Sequence, residues 1–434
     1  MADGDGLPVA VIGAGGSGIL AAIALRRAGL PVEICEARGG VGGTWRYDPD
    51  GHGSACYESL VTNTSRLRTS PAARRIPGRP WQYVPHAEML AYFEDLTDRF
   101  DLRRNLRLNW KVAQAVRDES DWVLHSEAGE VLRCRAVVCA LGVNGRPRTA
   151  PLRGTFTGEQ MHSAGYREPT RFAGKDVLVI GLGTSGCEIA GELAGTARSV
   201  RVAVRSPSWT MTRRWAGVPL DWLDNPMVAR VVPWRMRRSF FAATSRLTTG
   251  RLHRHGRPRP TRRCGDDVIA ISDSFPRAVR AGLVEFRAEV LDVDGRTVRF
   301  ADHTSADVDV IVHATGFDLP TEFLPQELSP GMGGLYRGIA HPEADDLFFV
   351  GLVEAHRALL PIAEQQAIWT AAVLSGQLPL PGPSERRRVA IQEAKRRLRD
   401  FGDRREFLVD YAKYLATLRR DRRAGGPAGI TTRA

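Results

Sequence analysis

Two glycine-rich turns of identical spacing constrain this chain more than any other feature. Gly13-Ala14-Gly15-Gly16-Ser17-Gly18 follows the apolar run Pro8 to Ile12, and Gly181-Leu182-Gly183-Thr184-Ser185-Gly186 follows Asp176 to Ile180. Each turn leads into a helical stretch, to about Ala28 and Ala194, and then into a second short strand, Val32 to Glu36 and Val200 to Val204. Strand, glycine turn, helix, strand is a βαβ unit. Glycines at the three positions of such a turn, Gly13, Gly15 and Gly18 or Gly181, Gly183 and Gly186, let the backbone approach a pyrophosphate. The helix start then aims its N–H groups and dipole at the negative charge. Two such units in 434 residues predict an α/β fold with two Rossmann-like dinucleotide-binding domains. Their flanking sequences differ, so this is not a solenoid repeat.

What ends the second strand separates the two sites. Glu36 stands where a carboxylate can hydrogen-bond a ribose diol, and it would repel a 2′-phosphate, so the first site should take FAD or NAD. In the second unit the strand ends at Val204-Arg205-Ser206 with no acid. Arginine there can pair with a 2′-phosphate, which favours NADPH over NADH. Arg213 and Arg214 are additional candidates for that phosphate.

Three further segments carry a resemblance. Glu36-Ala37-Arg38-Gly39-Gly40-Val41-Gly42-Gly43-Thr44-Trp45 resembles the E-x-R-x-x-x-G-G-x-W stretch of flavoprotein monooxygenases with two dinucleotide domains. Phe156 to Tyr166, with Gly158 and His162, matches F-x-G-x-x-x-H-x-x-x-[Y/F], the identifying sequence of flavin-containing monooxygenases. Baeyer–Villiger enzymes of the same class usually carry Trp at its last position. Tyr57 to Thr64 is similar to the family's Y-x-S-L-x-T-N segment. Ala314-Thr315-Gly316-Phe317, Gly334 to Arg337 and Pro361 to Trp369 resemble its later parts, so the likeness runs over about residues 8 to 380. Thr184 departs from the family's frequent Asn, and little matches between Trp209 and Cys264.

The resemblance implies FAD at the first turn, held by Gly13, Gly15, Ser17, Gly18, Glu36, Arg38, Gly43, Thr44 and Trp45. It implies NADPH at the second, held by Gly181, Gly183, Thr184, Ser185, Gly186, Arg205 and Ser206. Thr62, Asn63, His162, Thr315, Gly316 and Gln366 join the cofactor-binding set. His162 is expected to brace the interdomain linker and not to act as an acid or base. The expected domains are 1–170 for the first part of the FAD domain, 171–315 for an inserted NADPH domain, and 316–434 for the rest, with C-terminal helices.

The implied reaction inserts one atom of O2 into a small organic substrate through a C4a-hydroperoxyflavin, with Asn63 as the catalytic residue that protects and hydrogen-bonds the intermediate. Tyr166 points to N- or S-oxygenation of that substrate. Baeyer–Villiger oxidation of a ketone is the alternative, and a non-catalytic flavoprotein binding module is the reading from a different class. The retained second turn with Arg205 argues against the binding module, which needs no NADPH.

Charge and cysteines then place the chain among function classes. The formal charge is +12, and all but four of the 61 basic residues are arginines. No nucleic-acid motif and no basic stripe interleaved with aromatics accompany that charge. Ten arginines and no acid lie between Arg235 and Arg263. That segment reads as a solvated loop or as a docking surface for an acidic carrier protein or an anionic substrate, and a homodimer is a further candidate assembly. No window reaches the roughly 18 apolar residues of a membrane span. Cys35, Cys134, Cys139 and Cys187 lie in apolar surroundings and read as buried thiols, which suggests the cytoplasm. No metal-ligand spacing is present among the histidines or cysteines.

Overall fold

The computed structural model describes residues 6–50, 54–222, 231–232, 234–330, 334–402 and 407–424. The chain divides into two compact units. Residues 1–46, 65–145 and 319–434 form the first, and residues 47–64 and 146–318 form the second. In chain order the elements that position the sites are β1 (Val9–Ile12), α1 (Gly16–Arg27), β2 (Val32–Cys35), β3 (Leu106–Arg107), β4 (Ala136–Cys139), β5 (Glu159–His162), β6 (Asp176–Ile180), α2 (Thr184–Leu193), β7 (Ser199–Ala203), β8 (Glu285–Arg287), β9 (Val310–His313), β10 (Leu347–Phe349) and α3 (Leu360–Leu374).

Each unit is built on a five-stranded parallel sheet, ordered β10-β4-β1-β2-β3 in the first and β5-β9-β6-β7-β8 in the second. The two sheets share one plan. The glycine turn follows the central strand, β1 or β6, and the helix returns the chain to β2 or β7. After the next strand an antiparallel meander brings it back beside the centre. The meander is Val112–Asp118, Asp121–Ser126 and Val131–Cys134 in the first unit, and Val290–Gly295, Thr297–Phe300 and Ser305–Asp307 in the second. The outermost strand next to β4 or β9 comes late in the chain for the first unit and early for the second. That exchange is how one unit interrupts the other.

The continuous apolar runs follow from cover on both faces of a parallel sheet. In the first unit Val9 and Val11 pack with Ile19, Ile23 and Trp369 on the helical side, while Ala10 and Ile12 pack with Trp122, Leu124 and Leu347 on the other. In the second, Val177 and Val179 meet Cys187, Ile189 and Leu193, and Leu178 and Ile180 meet Val293, Val298 and Phe300. α1 is buried from Ser17 to Leu25 because α3 covers the side that the sheet does not. All six cysteines are buried, and burial pushes the Cys35 and Cys134 thiols up to about 12, well away from the reactive thiolate range.

The C-terminal helices, Pro383–Phe401 and Tyr411–Ala424, dock on the first unit. Arg337 reaches both, at 2.8 Å from Asp421 and 2.6 Å from Glu393. Among the described residues, no helix is long and apolar enough to cross a membrane.

Within each turn the tightest steric constraint sits at the third glycine. A Cβ on Gly18 would stand 1.8 Å from the Gly13 carbonyl oxygen, and one on Gly186 would stand 2.2 Å from the Gly181 oxygen. Neither neighbour is a flexible side chain, so the helix would have to lift off its own strand. Gly186→Ala is therefore expected to lower stability by about 3 kcal/mol or to abolish soluble expression, read as the urea midpoint against wild type.

Candidate functional site

In the first unit the turn after β1 forms a cradle of backbone. Gly15 is the N-cap of α1; no side chain caps the helix and no acid stands in its first turn. Its N–H groups are left for an anion. A Cβ on Gly15 would meet only the Gly43 backbone, its Cα at 3.6 Å. The Gly43-Thr44-Trp45 turn, entered through Gly42 at φ 116°, thus lies against this loop. Glu36 is 5% exposed; one carboxylate oxygen accepts from the Ala14 N–H at 2.7 Å and the other from the Arg38 N–H at 3.0 Å. Arg38 in turn donates to the Gly43 carbonyl at 3.3 Å. Glu36 therefore ties three pieces of the cradle together and sits at the end of β2, where a ribose diol would meet it.

Ser17 is buried in the first turn of α1 and abuts Gly351, whose φ of +89° leaves a Cβ position 2.2 Å from the Ser17 Oγ. The Gly351 N–H donates to Gln366 Oε1 at 2.8 Å, and Gln366 Nε2 donates to Tyr414 Oη at 2.8 Å. Gln366 is fully enclosed. Its amide is committed within the unit, and it reaches the cradle only through the Gly351 backbone.

The second unit repeats the arrangement with different chemistry. Gly183 is the N-cap of α2, again without a side-chain cap or an acid in the first turn. A Cβ on Gly183 would meet nothing within 4 Å, and its φ of −82° suits any residue. The fold does not require glycine there, whereas a ligand pressed against the backbone would. Thr184 is half-buried and Ser185 exposed at the helix start. Arg205 follows β7 with its side chain 72% exposed, and its ion pair with Glu289 is loose at 3.8 Å; Ser206 beside it is half-buried. Thr315 and Gly316 follow β9, the strand next to β6. The Thr315 hydroxyl donates to the Arg148 carbonyl, and the preceding Ala314 carbonyl is 2.5 Å from the Cβ position of Gly181. These two residues thus belong to the second turn.

His162 is fixed as a brace. The Ala164 N–H donates to its Nδ1 at 3.1 Å, so the proton sits on Nε2 and is donated to the Gly316 carbonyl at 3.0 Å. The edge of the ring meets Phe317 with centroids 4.9 Å apart. Burial holds its pKa below the usual histidine value, and the bond to Gly316 offsets this in part. With both nitrogens engaged, the ring has no site free for proton transfer.

Arg213, considered above as a partner for the phosphate, is corrected by the structure. Its side chain is 7% exposed and paired with Glu188 at 3.1 Å, with Asp273 at 3.6 Å. Glu188 and Glu192, one turn apart on α2, went unnoticed in the sequence. Glu188 accepts from the Tyr57 hydroxyl at 3.2 Å. Glu192 accepts from the Tyr166 hydroxyl at 2.8 Å and from the Ser59 hydroxyl. Burial holds the Glu192 carboxyl above its usual range. Two acids four apart on a helix otherwise destined for a core were the available signal. Together they hold residues 57–63, and with them Thr62 and Asn63, onto the second unit. Thr62 is buried and Asn63 exposed.

The arginine-rich segment is not the loop expected but is helical over Trp234–Thr249, and its arginines divide between buried and open positions. The Arg235 side chain is outside the described residues. Arg257 is buried against the Ser208 carbonyl, Arg238 pairs with Asp266, and Arg251, Arg254, Arg259 and Arg263 face solvent.

The family model described as flavin-binding monooxygenase-like matches residues 7–421. Flavin-containing monooxygenase 1 of Homo sapiens is 28% identical over 420 residues, covering 90% of this chain and 77% of that protein. Flavin-containing monooxygenase 5 of Mus musculus is 27% identical over 406 residues, 87% and 75% of the two chains. Among solved structures, S-allyl-L-cysteine S-oxygenase from Allium sativum superposes with a TM-score of 0.70 at 24% identity, over 96% of this chain and 88% of that one. An open structure of cyclohexanone monooxygenase superposes with 0.72 at 21% identity, over 96% and 98%. These two likenesses speak to the fold.

The state of His162 has a consequence for stability. Its folded pKa lies below the unfolded value, as do those of the buried His313 and His341. The unfolded chain therefore binds more protons than the folded one just below pH 6.5. Stability is complete above that pH and is lost as pH falls through the folded values. The melting temperature should drop between pH 7 and 5.5, and His162→Gln should make that drop shallower; an identical pH profile would contradict the assignment.

Proposed function

The chain belongs to the flavin-binding monooxygenase-like family, flavoprotein oxidoreductases working with FAD and NADPH, and we propose that it oxygenates a nitrogen or sulfur atom of a small organic substrate. The balance is substrate, O2, NADPH and a proton giving oxygenated substrate, water and NADP⁺. The observation that carries the reading is the pairing of two uncapped glycine cradles with opposite chemistry at their second strands, a buried carboxylate at Glu36 and an open guanidinium at Arg205. Tyr166, the last residue of the linker motif, supports nitrogen or sulfur over a ketone. Relatives from Mus musculus, Cavia porcellus and Macaca mulatta carry the name dimethylaniline monooxygenase, N-oxide-forming.

The flavin, when bound, supplies the two-electron chemistry that activates dioxygen, and the nicotinamide supplies the hydride. The chain's own residues do the rest. Gly13, Gly15 and Gly18 with the α1 N-terminus take the FAD pyrophosphate, and Glu36 takes the ribose. Gly43, Thr44 and Trp45 close that cradle from the side. Gly181, Gly183 and Gly186 with the α2 N-terminus take the NADPH pyrophosphate, and Arg205 with Ser206 takes the 2′-phosphate. His162, Thr315 and Gly316 fix the backbone beside the second turn. Asn63 offers an amide to the reacting oxygen, and Thr62 anchors it, its hydroxyl donating to the Thr64 carbonyl at 2.8 Å.

Incubating the purified protein with NADPH and parallel panels of tertiary amines, sulfides and cyclic ketones tests this reading. N- or S-oxides by mass spectrometry are the expected products, and lactones alone would assign the Baeyer–Villiger reaction instead. Release of H2O2 stoichiometric with NADPH across all three panels would count against oxygenation of any of them. Arg205→Ala should raise the KM for NADPH about tenfold and leave that for NADH unchanged, as expected for the loss of one charge-assisted contact worth about 1.5 kcal/mol. Gly183→Ala should melt within about 1 °C of wild type yet bind NADPH at least tenfold more weakly, since its added methyl meets ligand and not protein.

A further inference from the structure

Asn63 is exposed, and its side chain is oriented by a partner that can only donate. Arg213 Nη2 lies 3.3 Å from Asn63 Oδ1. Arg213 Nε lies 3.4 Å from the Thr62 carbonyl oxygen. A guanidinium has five N–H donors and no acceptor, so the oxygen of the Asn63 amide, and not its nitrogen, must face it. The NH2 group is thereby turned the other way, as a donor. An unsupported asparagine could present either end, since the two differ only by a half-turn about the last side-chain bond.

Arg213 is itself held from behind. Nη1 and Nη2 reach the two Glu188 oxygens at 3.3 and 3.1 Å, and its backbone N–H donates to Asp273 Oδ1 at 2.8 Å. Glu188 belongs to α2, the helix whose first turn is the nicotinamide cradle, and it also accepts from Tyr57, six residues before Asn63. All of these residues lie in the second unit. Burial works against the charge on Arg213, but the facing Glu188 carboxylate, together with Asp273 and Tyr57, offsets it, so the guanidinium stays protonated.

We propose that Arg213, locked by Glu188, is a positioning residue that sets the Asn63 amide with its NH2 outward, toward an oxygen acceptor at the reacting centre. The inference rests on the role given to Asn63 above. It extends that role to a residue that acts through the Asn63 amide and the Thr62 carbonyl beside it. Lysine at 213 would keep a donor and the charge but lose the fork that spans Thr62, Asn63 and Glu188. Glutamine would have an acceptor as well as donors and would let the amide face either way.

The test is a double-mutant cycle on the flavin-loaded full chain, reading H2O2 released per NADPH consumed. Asn63→Ala is expected to raise that ratio about tenfold, and Arg213→Gln to raise it nearly as far. In the Asn63→Ala background, Arg213→Gln should add less than twofold. Because Arg213→Gln alone would leave Glu188 buried without its charge partner, the pair Glu188→Gln/Arg213→Gln is measured too. It should melt near wild type and still be uncoupled. A readout independent of turnover comes from protein carrying 15N-asparagine, of which the chain has only five. The side-chain NH2 pair that disappears in Asn63→Ala should shift or double in Arg213→Gln.

Effects that multiply in the double mutant, or wild-type coupling in the neutral pair, would overturn the role of Arg213 while leaving that of Asn63 standing. Wild-type coupling in Asn63→Ala would remove the role of Asn63 and this inference with it.

Discussion

Everything in this protein depends on two contacts of backbone with backbone, one per unit, where a helix starts so close to its own strand that no side chain fits between them. At Gly18 the missing Cβ would lie within a bond length or so of the Gly13 carbonyl, and at Gly186 nearly as close to that of Gly181. That closeness points the first turn of each helix over the end of the central strand. From it follows the backbone cradle, and from the cradle follows which residues can reach a bound phosphate. The neighbouring strand presses in from the other side: the Ala140 carbonyl crowds Gly13, and the Ala314 carbonyl crowds Gly181. The same steric solution has been used twice, down to the alanine.

The two copies differ in what the next layer does with them. In the first, Glu36 draws its carboxylate back onto the Ala14 and Arg38 amides and so knits the loop together. In the second, Arg205 is left open to solvent. α2 carries Glu188 and Glu192 where α1 has Leu20 and Ala24, and those two acids collect Tyr57, Ser59, Tyr166 and Arg213. A buried ion pair such as Glu188–Arg213 is weak evidence for stability, because desolvation consumes most of the Coulombic gain. Its geometric effect is stronger: it holds residues of two distant segments in one register.

The parts of the fold visible in the sequence were those with local signatures. Both βαβ units and the C-terminal helices follow from periodicity and from glycine or proline punctuation. The meanders that complete each sheet were not visible, since their short alternating strands pair only through tertiary contact. Nor was it visible that residues 47–64 fold into the second unit, because the contacts responsible, Tyr57 with Glu188 and Ser59 with Glu192, span more than 130 positions. Arg213 was misjudged for the same reason. An arginine near a fingerprint strand resembles a phosphate ligand until the carboxylate that neutralises it is seen to lie on another element.

The sequence by itself determined which positions must be glycine, which strand ends in an acid and which in an arginine, and so the chemistry offered to each dinucleotide. These are properties of short segments, set by steric exclusion and by charge at a known place in a βαβ turn. Only the tertiary structure decided that His162 has no free nitrogen, that Gln366 is sealed inside the first unit, and that the Asn63 amide is turned by Arg213. Those outcomes depend on hydrogen-bond partners brought from far along the chain, and a donor's partner cannot be read from its neighbours in sequence.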